Sequence, residues 1–210
     1  MISVHLLECG PVATNAYVVV NPAIHQAFVV DTPPDSCAEI LKVVNAKGCR
    51  LTDVLLTHTH WDHTADCAEI VKQTNAKVSV HAEDAYRLLD PMRHTVWQLP
   101  FTIPAVVPDV LLENDDRITA SGVALVVRHT PGHTEGGVCF IDEVNKRVFV
   151  GDTLFSGSIG RTDLPGGNME KLLFSIVNEL LVLDDAITVL PGHGQTTTIG
   201  HERLTNPFLS

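Results

Sequence analysis

Three histidines and one aspartate stand close together in the first third of the chain, in the stretch Thr57-His58-Thr59-His60-Trp61-Asp62-His63. Imidazoles and carboxylates without cysteine thiolates are ligands for divalent zinc, iron or manganese. Side chains two positions apart in an extended segment point the same way, so His58 and His60 can reach one point in space. Asp62 and His63 follow where a turn is predicted. One loop therefore offers four metal ligands.

Three further stretches carry the same residue types, namely His129-Thr130-Pro131-Gly132-His133-Thr134, Gly151-Asp152-Thr153 and Pro191-Gly192-His193-Gly194. Each follows a predicted strand, as the first motif does. Glycine before His133 and on both sides of His193 lets the backbone turn sharply and approach a ligand closely. These stretches therefore lie on the same kind of loop as the first motif and carry residues that can bind a metal.

Alternating strands and helices must position these four loops. Apolar runs predict strands over 2–7, 16–20, 27–30, 54–56, 77–80, 117–119, 123–129, 138–142, 147–150 and 187–190. Helices are predicted over 38–45, 64–75, 83–89, 168–183 and 198–204. The order predicts an α/β fold of two sheets packed face to face with helices outside, as one domain over 1–210. The proline-rich segment 90–108 is predicted to be either a lid or binding loop or a packed connector.

Composition narrows the class of function. The net charge of -11 disfavours a nucleic-acid partner, which needs a basic patch, although bound cations would offset that charge locally. No apolar run is long enough to span a bilayer, and the N-terminus shows no signal peptide, so no membrane partner is expected. The five cysteines are scattered without a CxxC pair, which favours reduced thiols in a cytoplasmic protein.

The complete motif set resembles the metallo-β-lactamase superfamily, whose signature is HxHxDH followed by a later His, Asp and His. The resemblance covers essentially the whole chain and implies a four-layer αββα sandwich. It implies a first metal site of His58, His60 and His133, a second site of Asp62, His63 and His193, and Asp152 as the bridging carboxylate. It also implies that Asp31, at a strand end, orients the metal loop.

Finer motifs are similar to short glyoxalase II-type hydrolases: the run from His129 to Thr134, Gly-Asp-Thr-Leu-Phe at 151–155, Gly160-Arg161-Thr162-Asp163, and the closing run 202–208. This likeness implies cleavage of a small-molecule thioester of the S-lactoylglutathione type. Two divalent metal ions, zinc first and iron or manganese as alternatives, would supply the hydrolytic water. Full-length glyoxalase II has a further helical domain that supplies much of its glutathione site. Only 17 residues follow His193 here, so the thiol is left open.

Individual roles follow from these positions. Asp62 is expected to orient the attacking water and accept its proton while also binding the second metal. His81 ends a predicted strand and is expected either to line the pocket or to be structural. Arg161 and Asp163 are predicted to form a buried or pocket-edge pair, and His129 is favoured as structural.

Other reactions catalysed by proteins of the same fold are kept as alternatives. An iron-dependent persulfide dioxygenase also resembles the chain in its Gly-Arg-Thr-Asp motif and would use His58, His133 and Asp152. The Pro-Gly-His-Gly form around His193 favours the hydrolase over this rival. Lactamase activity is disfavoured by the missing signal peptide, and nuclease activity by the acidic balance. A role limited to ligand binding would require that no metal is bound.

Overall fold

Two six-stranded β-sheets form the centre of the protein, whose computed structural model describes residues 1–209. The first sheet contains, in spatial order, β1 (Ser3–Cys9), β2 (Thr14–Asn21), β3 (Gln26–Val30), β4 (Arg50–Leu55), β5 (Lys77–His81) and β6 (Val110–Leu112). Its first three strands are antiparallel, whereas β3 to β6 run parallel. The second sheet contains β7 (Arg117–Ala120), β8 (Val123–His129), β9 (Val138–Asp142), β10 (Arg147–Gly151), β13 (Thr188–Pro191) and β14 (Thr197–Thr198). A small hairpin of β11 (Leu154–Phe155) and β12 (Ser158–Ile159) follows β10.

The helices lie outside the two sheets. They are α1 (Cys37–Ala46), α2 (Trp61–Thr64), α3 (Cys67–Thr74), α4 (Ala85–Leu89), α5 (Pro91–His94), α6 (Met169–Ser175) and α7 (Ile199–Thr205). A 3₁₀ turn over Ala82–Asp84 precedes α4, and a π-helical turn over Ile176–Leu180 extends α6. Among residues 1–209, no helix is long and apolar enough to cross a membrane.

Three apolar clusters define four layers. Between the sheets, alternate residues of β2 and β3 such as Tyr17 and Phe28 pack with Phe140 and Phe149 of the second sheet. The other side chains of β2 and β3 pack against the apolar faces of α1 and α3. The outer face of the second sheet packs against α6 and its π-helical extension. Strands buried on both faces explain why β2 reads as a continuous apolar run. The predicted four-layer αββα fold is therefore confirmed.

The strand directions bring the motif loops together. Because β3, β4 and β5 are parallel, the residues after Val30, Leu55 and His81 emerge at one edge of the first sheet. In the second sheet β10 and β13 are also parallel, so the loops after Gly151 and Pro191 share an edge. Ligand sites in open sheets lie outside the carboxyl ends of parallel strands.

Several predicted elements differ in detail. The helix predicted over 64–75 starts later, as α3 at Cys67, and Thr64 instead ends the separate turn α2, because Asp66 donates its backbone N–H to Thr32 O at 3.1 Å and accepts the Cys37 N–H at 2.8 Å. These bonds turn the chain between α2 and α3. The helix predicted over 168–183 changes to a π-helical turn at Ile176. Strands β6, β11, β12 and β14 are not predicted, since each has only two or three residues.

The proline-rich segment 90–108 begins as α5 and then lacks regular structure until β6. Its far end is anchored: Ile103 and Val106 are buried, and Val106 N–H donates to Leu88 O at 3.0 Å. Its middle stays open to solvent, with Trp97 43% exposed. The segment therefore combines a packed connector with an exposed aromatic stretch.

Candidate metal centre

The first group of converging side chains comprises His58, His60 and His133. One ring nitrogen of each lies within 4.8 Å of the others, and His60 Nδ1 is 2.8 Å from His133 Nε2. The loop after β4 supplies the first two residues and the loop after β8 supplies the third. Three imidazoles around one point match a site for zinc or a similar cation.

The second group comprises Asp62, His63 and His193, whose ligand atoms also lie within 4.8 Å of one another. Asp62 Oδ2 is 3.3 Å from His193 Nε2 and 3.5 Å from His63 Nε2. Asp62 and His63 belong to α2, one helical turn that directly follows the first two histidines. The strand-to-helix loop therefore contributes to both groups.

Asp152 lies between the two groups. Its Oδ2 is 3.5 Å from His133 Nε2 in the first group and 3.5 Å from His193 Nε2 in the second. Its Oδ1 is 3.3 Å from His63 Nε2. One carboxylate therefore faces both groups, as a ligand shared by two metal ions must.

Unpaired polar atoms test whether the residues fit metal ions. Within residues 1–209, His58 Nε2, His63 Nε2 and Asp152 Oδ1 are buried and have no hydrogen-bond partner. Buried polar atoms are normally paired, so three orphans at one point indicate a missing partner. Imidazole nitrogens and carboxylate oxygens are ligands for borderline divalent cations. The seven residues therefore fit two such ions, with Asp152 between them.

Charge in the site leads to the same conclusion. Burial lowers the pKa of His58 well below its usual value and that of His60 to about 3, so these rings are neutral and ready to coordinate. Burial acts against protonation of His63 as well, but the carboxylates of Asp152, Asp62 and Asp31 raise its pKa well above the usual range. Without metal, protons on imidazoles balance the buried carboxylates. Bound cations would take their place.

Asp31 orients two parts of the first motif. Its Oδ2 accepts from His63 Nδ1 at 2.8 Å and from the Thr57 hydroxyl at 2.7 Å, and its Oδ1 accepts the Thr57 N–H at 2.8 Å. The bond to Nδ1 aims Nε2 of His63 at Asp62 and Asp152. A carboxylate on the far nitrogen of a metal-binding histidine fixes its tautomer and ring orientation. This position matches the orienting role expected of Asp31.

The start of β2 holds the loop that carries His193. Asn15 Nδ2 donates to Pro191 O at 2.9 Å and to Gly194 O at 3.0 Å, and the Tyr17 hydroxyl donates to Pro191 O at 2.7 Å. Sequence reasoning missed these residues, as it missed the Thr14 hydroxyl, which donates to Asp62 Oδ2 at 3.0 Å. The available signal was a run of polar residues opening an apolar strand.

Space in this loop requires glycine at one position. A Cβ on Gly192 would lie 2.2 Å from Asp152 Oδ1 and 2.7 Å from His63 Cε1. The main chain therefore packs directly against the bridging carboxylate. This contact is the close approach predicted for the glycine before His193.

Asp84 is a further buried carboxylate beside the centre, and sequence reasoning did not identify it. Its Oδ2 accepts from Thr59 N at 2.9 Å and from the Thr134 hydroxyl at 3.0 Å. Thr59 lies between His58 and His60 in the sequence, and Thr134 directly follows His133. Its Oδ1 accepts from Gly136 N at 2.7 Å and from Arg87 Nη1 at 2.9 Å. Asp84 therefore joins the two loops of the first group. Its only sequence signal is its place three residues after the strand end at His81.

His81 and Arg161 lie around the centre rather than in it. His81 stacks on His129, with ring centroids 4.0 Å apart, and it does not line the cavity above the ligands. Arg161 accepts a hydrogen bond from His133 Nδ1 at 2.7 Å through its backbone carbonyl. The Arg161 side chain lies at the cavity edge and forms an ion pair with Asp163. The side chains of Arg161 and Asp163 are each more than half exposed. The pair is at the pocket edge, so the alternative of a buried pair is wrong.

An open cavity of about 480 Å³ lies above the ligands. Ligand residues of both groups and Asp152 form its floor, while the walls are lined by Val12, Trp61, Trp97, Leu99, Arg161 and Leu164. A small molecule can therefore reach the point between the two groups. The arrangement can hold a substrate over two metal ions and attack it with an activated water.

Comparisons with known proteins agree with this geometry. A family model described as the metallo-beta-lactamase superfamily matches residues 9–193. The curated protein hydroxyacylglutathione hydrolase GloC of Haemophilus influenzae is 35% identical over 187 residues, covering 88% of this chain and 87% of that protein.

Solved structures are also similar over nearly the whole chain. BLEG-1 B3 metallo-beta-lactamase has a TM-score of 0.91 and 35% identity and covers all of both chains. TTHA1623 in a di-iron-bound form has a TM-score of 0.85 and 34% identity, covering 98% of this chain and all of that one. ETHE1 from Myxococcus xanthus has a TM-score of 0.83 and 26% identity, covering 98% and 83%. The family match spans most of the chain, and the chain belongs to the metallo-beta-lactamase superfamily.

Proposed function

We propose that the protein is a hydrolase that cleaves small-molecule thioesters with two divalent metal ions, zinc in the first place. The observation that carries this proposal is the position of Asp152, which faces both ligand groups beneath an open cavity. A shared carboxylate with three further ligands on each side suits two metals and a hydrolytic water. The name hydroxyacylglutathione hydrolase, borne by a 35%-identical relative, supports a thioester as substrate.

The bound ions would lower the pKa of a water and polarise the substrate carbonyl. Asp62 lines the cavity, and although burial raises its pKa, the His63 charge and a hydrogen bond from His193 bring that pKa below its usual value. It is therefore ionised and able to orient the attacking water and accept its proton. A C–O bond forms as the C–S bond breaks, giving a carboxylic acid and a thiol. Because a thiol has a pKa of about 8.5, the thiolate can leave without first being protonated by a strong acid.

The test combines metal analysis with a thioester panel on one sample. We expect about two metal ions per chain and turnover of at least one thioester, measured by the thiol released. Asp62→Ala should abolish turnover. Glu143 is an exposed carboxylate 3.7 Å from Arg117, and Glu143→Ala should leave turnover unchanged. Full activity of Asp62→Ala would contradict the proposed role of Asp62.

Two similar structures define the competing outcomes. ETHE1 resembles this chain, and oxygen uptake with a persulfide but no thioester cleavage would replace the hydrolase with a dioxygenase. BLEG-1 bears a lactamase name, so hydrolysis of nitrocefin in preference to thioesters would favour a lactamase. A metal content of iron rather than zinc would change the cofactor, as the di-iron form of TTHA1623 illustrates.

A further inference from the structure

We propose that the thiol part of the substrate is apolar or aromatic and carries little charge, rather than being a charged peptide such as glutathione. This inference rests on the proposed thioester hydrolysis and names the substrate class of that site. It differs from the thiol in the name of the Haemophilus influenzae relative. The walls of the cavity above the metal ligands carry the argument.

Those walls are largely apolar. Val12, on the turn between β1 and β2, is 46% exposed, and Trp97 in the segment 90–108 is 43% exposed. Both line the cavity together with Leu99 and Leu164. Exposed apolar side chains that meet in a concave site are the usual lining of a ligand pocket. An apolar group in the cavity would cover them and remove their surface from water.

Three aromatic rings cluster at this cavity. Trp61, which follows His60 directly, lines the cavity with its ring 6.4 Å from that of Trp97 and 6.1 Å from that of Phe101. The Trp61 and Trp97 rings are inclined at 64° and meet edge to face, whereas the Trp61 and Phe101 rings are tilted at 52°. Trp61 is only 9% exposed, and it supports the more exposed Trp97. The cluster offers an aromatic face in the same cavity as the metal-binding residues.

The walls of this cavity carry little charge that could pair with an anionic group. Of the described residues that line this cavity, Arg161 alone carries a guanidinium or ammonium group. Its Nε and Nη2 donate to the two oxygens of Asp163 at 2.7 and 2.8 Å, and the hydrogen bonds from Arg161 lower the pKa of Asp163 to about 2. The pair is therefore ionised and close to neutral overall, and the Arg161 guanidinium carbon is 5.8 Å from the Trp97 ring.

Glutathione carries two carboxylates and one ammonium group. A site that selects it needs cationic partners for those carboxylates, because leaving charges unpaired on binding is costly. The one cation in the wall is already paired, and the chain as a whole has a net charge of -11. An uncharged thiol meets the apolar walls without this cost.

The main experiment compares thioesters that share one acyl group and differ only in the thiol: glutathione, N-acetylcysteamine and benzyl mercaptan. We expect kcat/KM for the benzyl thioester to exceed that for the glutathione thioester by about tenfold or more. Trp97→Ala should remove most of this preference, mainly through KM. Phe174→Ala, which truncates an aromatic ring 69% exposed on α6, is the matched control and should leave it unchanged. Preference for the glutathione thioester would overturn the inference but leave thioester hydrolysis standing.

A binding measurement separates the two proposals. The chain has two tryptophans, Trp61 and Trp97, and both line the cavity, so intrinsic tryptophan fluorescence reports on it directly. Unreactive thioethers that share a methyl group in place of the acyl group, benzyl methyl sulfide and S-methylglutathione, are titrated onto the metal-loaded protein. We expect the benzyl thioether to change the fluorescence at lower concentration. Selective binding without turnover of any thioester would contradict the hydrolase and support the apolar site, while tighter binding of the glutathione thioether would overturn the apolar site.

Discussion

The hydroxyl of Thr14 donates a 3.0 Å hydrogen bond to Oδ2 of Asp62, although the two residues lie 48 positions apart in the chain. The same oxygen faces His193 and His63. Thr14 is fully buried at the start of β2, so the bond is shielded from water. The first strand pair therefore fixes which oxygen of Asp62 is presented to the second ligand group.

Thr14→Val keeps the shape of the side chain and removes the hydroxyl. We expect the second metal ion to bind about 10-fold to 100-fold more weakly, as is typical when an outer partner of a metal ligand is lost. The measurement is metal titration of chelator-treated protein, with the stoichiometry read at each step. Thr14→Ser restores the donor and should recover tight binding. Equal affinity in Thr14→Val and the parent would mean that the bond does not position Asp62.

Asp31→Asn replaces one carboxylate oxygen by a donor at nearly constant volume. Oδ2 of Asp31 accepts from both His63 and Thr57, so an amide group placed there would meet two donors. We expect a metal affinity about 10-fold to 100-fold lower at the second group. Glu143→Gln, which changes an exposed carboxylate, is the control for metal titration. An unchanged titration curve for Asp31→Asn would rule out its orienting role.

Asp84→Asn tests the carboxylate that joins the loops of the first group. Arg87 is buried, and its Nη1 is 2.9 Å from Asp84 Oδ1, so loss of this carboxylate charge leaves the buried cation with the partly exposed Glu135 as its carboxylate partner. The expected loss in the free energy of unfolding is about 3 to 5 kcal/mol, from urea denaturation. The exposed Arg161–Asp163 pair supplies the comparison, since Asp163→Asn should leave the urea midpoint almost unchanged. Similar losses in both variants would contradict a structural role specific to Asp84.

Gly192→Ala tests the close packing of the main chain on the bridging carboxylate. The added Cβ would lie 2.2 Å from Asp152 Oδ1, so the carboxylate or the loop must move. We expect metal content to fall below half of the parent value, measured by elemental analysis, since both ligand groups share Asp152. Gly194→Ala is the matched control, because its Cβ would meet nothing within 4 Å and brings only backbone strain from a φ of 72°. Parent-like metal content in Gly192→Ala would show that the site accommodates the methyl group.

The metal-binding loops were predictable because their signals are local. His58 to His63 carry their spacing within one strand-to-helix loop, and the apolar runs around them fix the strands. Thr14 and Asp84 were not predictable in this way. Each is a single polar residue whose partners come from other loops, as in the bond between Thr14 and Asp62. Such contacts depend on strand order and register, which periodicity does not give.

The same reasoning explains the helix that was misplaced. The sequence 64–75 favours one helix by propensity. The Asp66 N–H donates to Thr32 O, however, and the Asp66 carboxylate accepts the Cys37 N–H, and these bonds separate α2, which ends at Thr64, from α3. Tertiary contacts override propensity when a short segment must meet two neighbours. The break sets α2 apart as one turn and lets Asp62 and His63 face the centre. The departure from prediction therefore lies at the candidate site itself.

The metal-free protein should lose stability as the pH rises. Burial disfavours protonated His193, but hydrogen bonds to Asp152 and Asp62 raise its pKa to about 10, against 6.5 as the ordinary value. The folded state thus holds a proton that the unfolded state releases, and the stabilisation is full below pH 6.5 and lost as pH rises through about 10. His63, whose pKa is also raised, acts in the same direction.

The measurement is the urea midpoint of chelator-treated protein between about pH 7 and pH 10, which we expect to fall. His193→Asn should flatten the decline, whereas His201→Asn, at an exposed position on α7, should not. Metal-loaded protein should show a weaker pH dependence, because the cations replace the protons that balance Asp62 and Asp152. A midpoint that rises with pH in the metal-free protein would contradict the protonated state of His193 and the charge balance inferred for the centre.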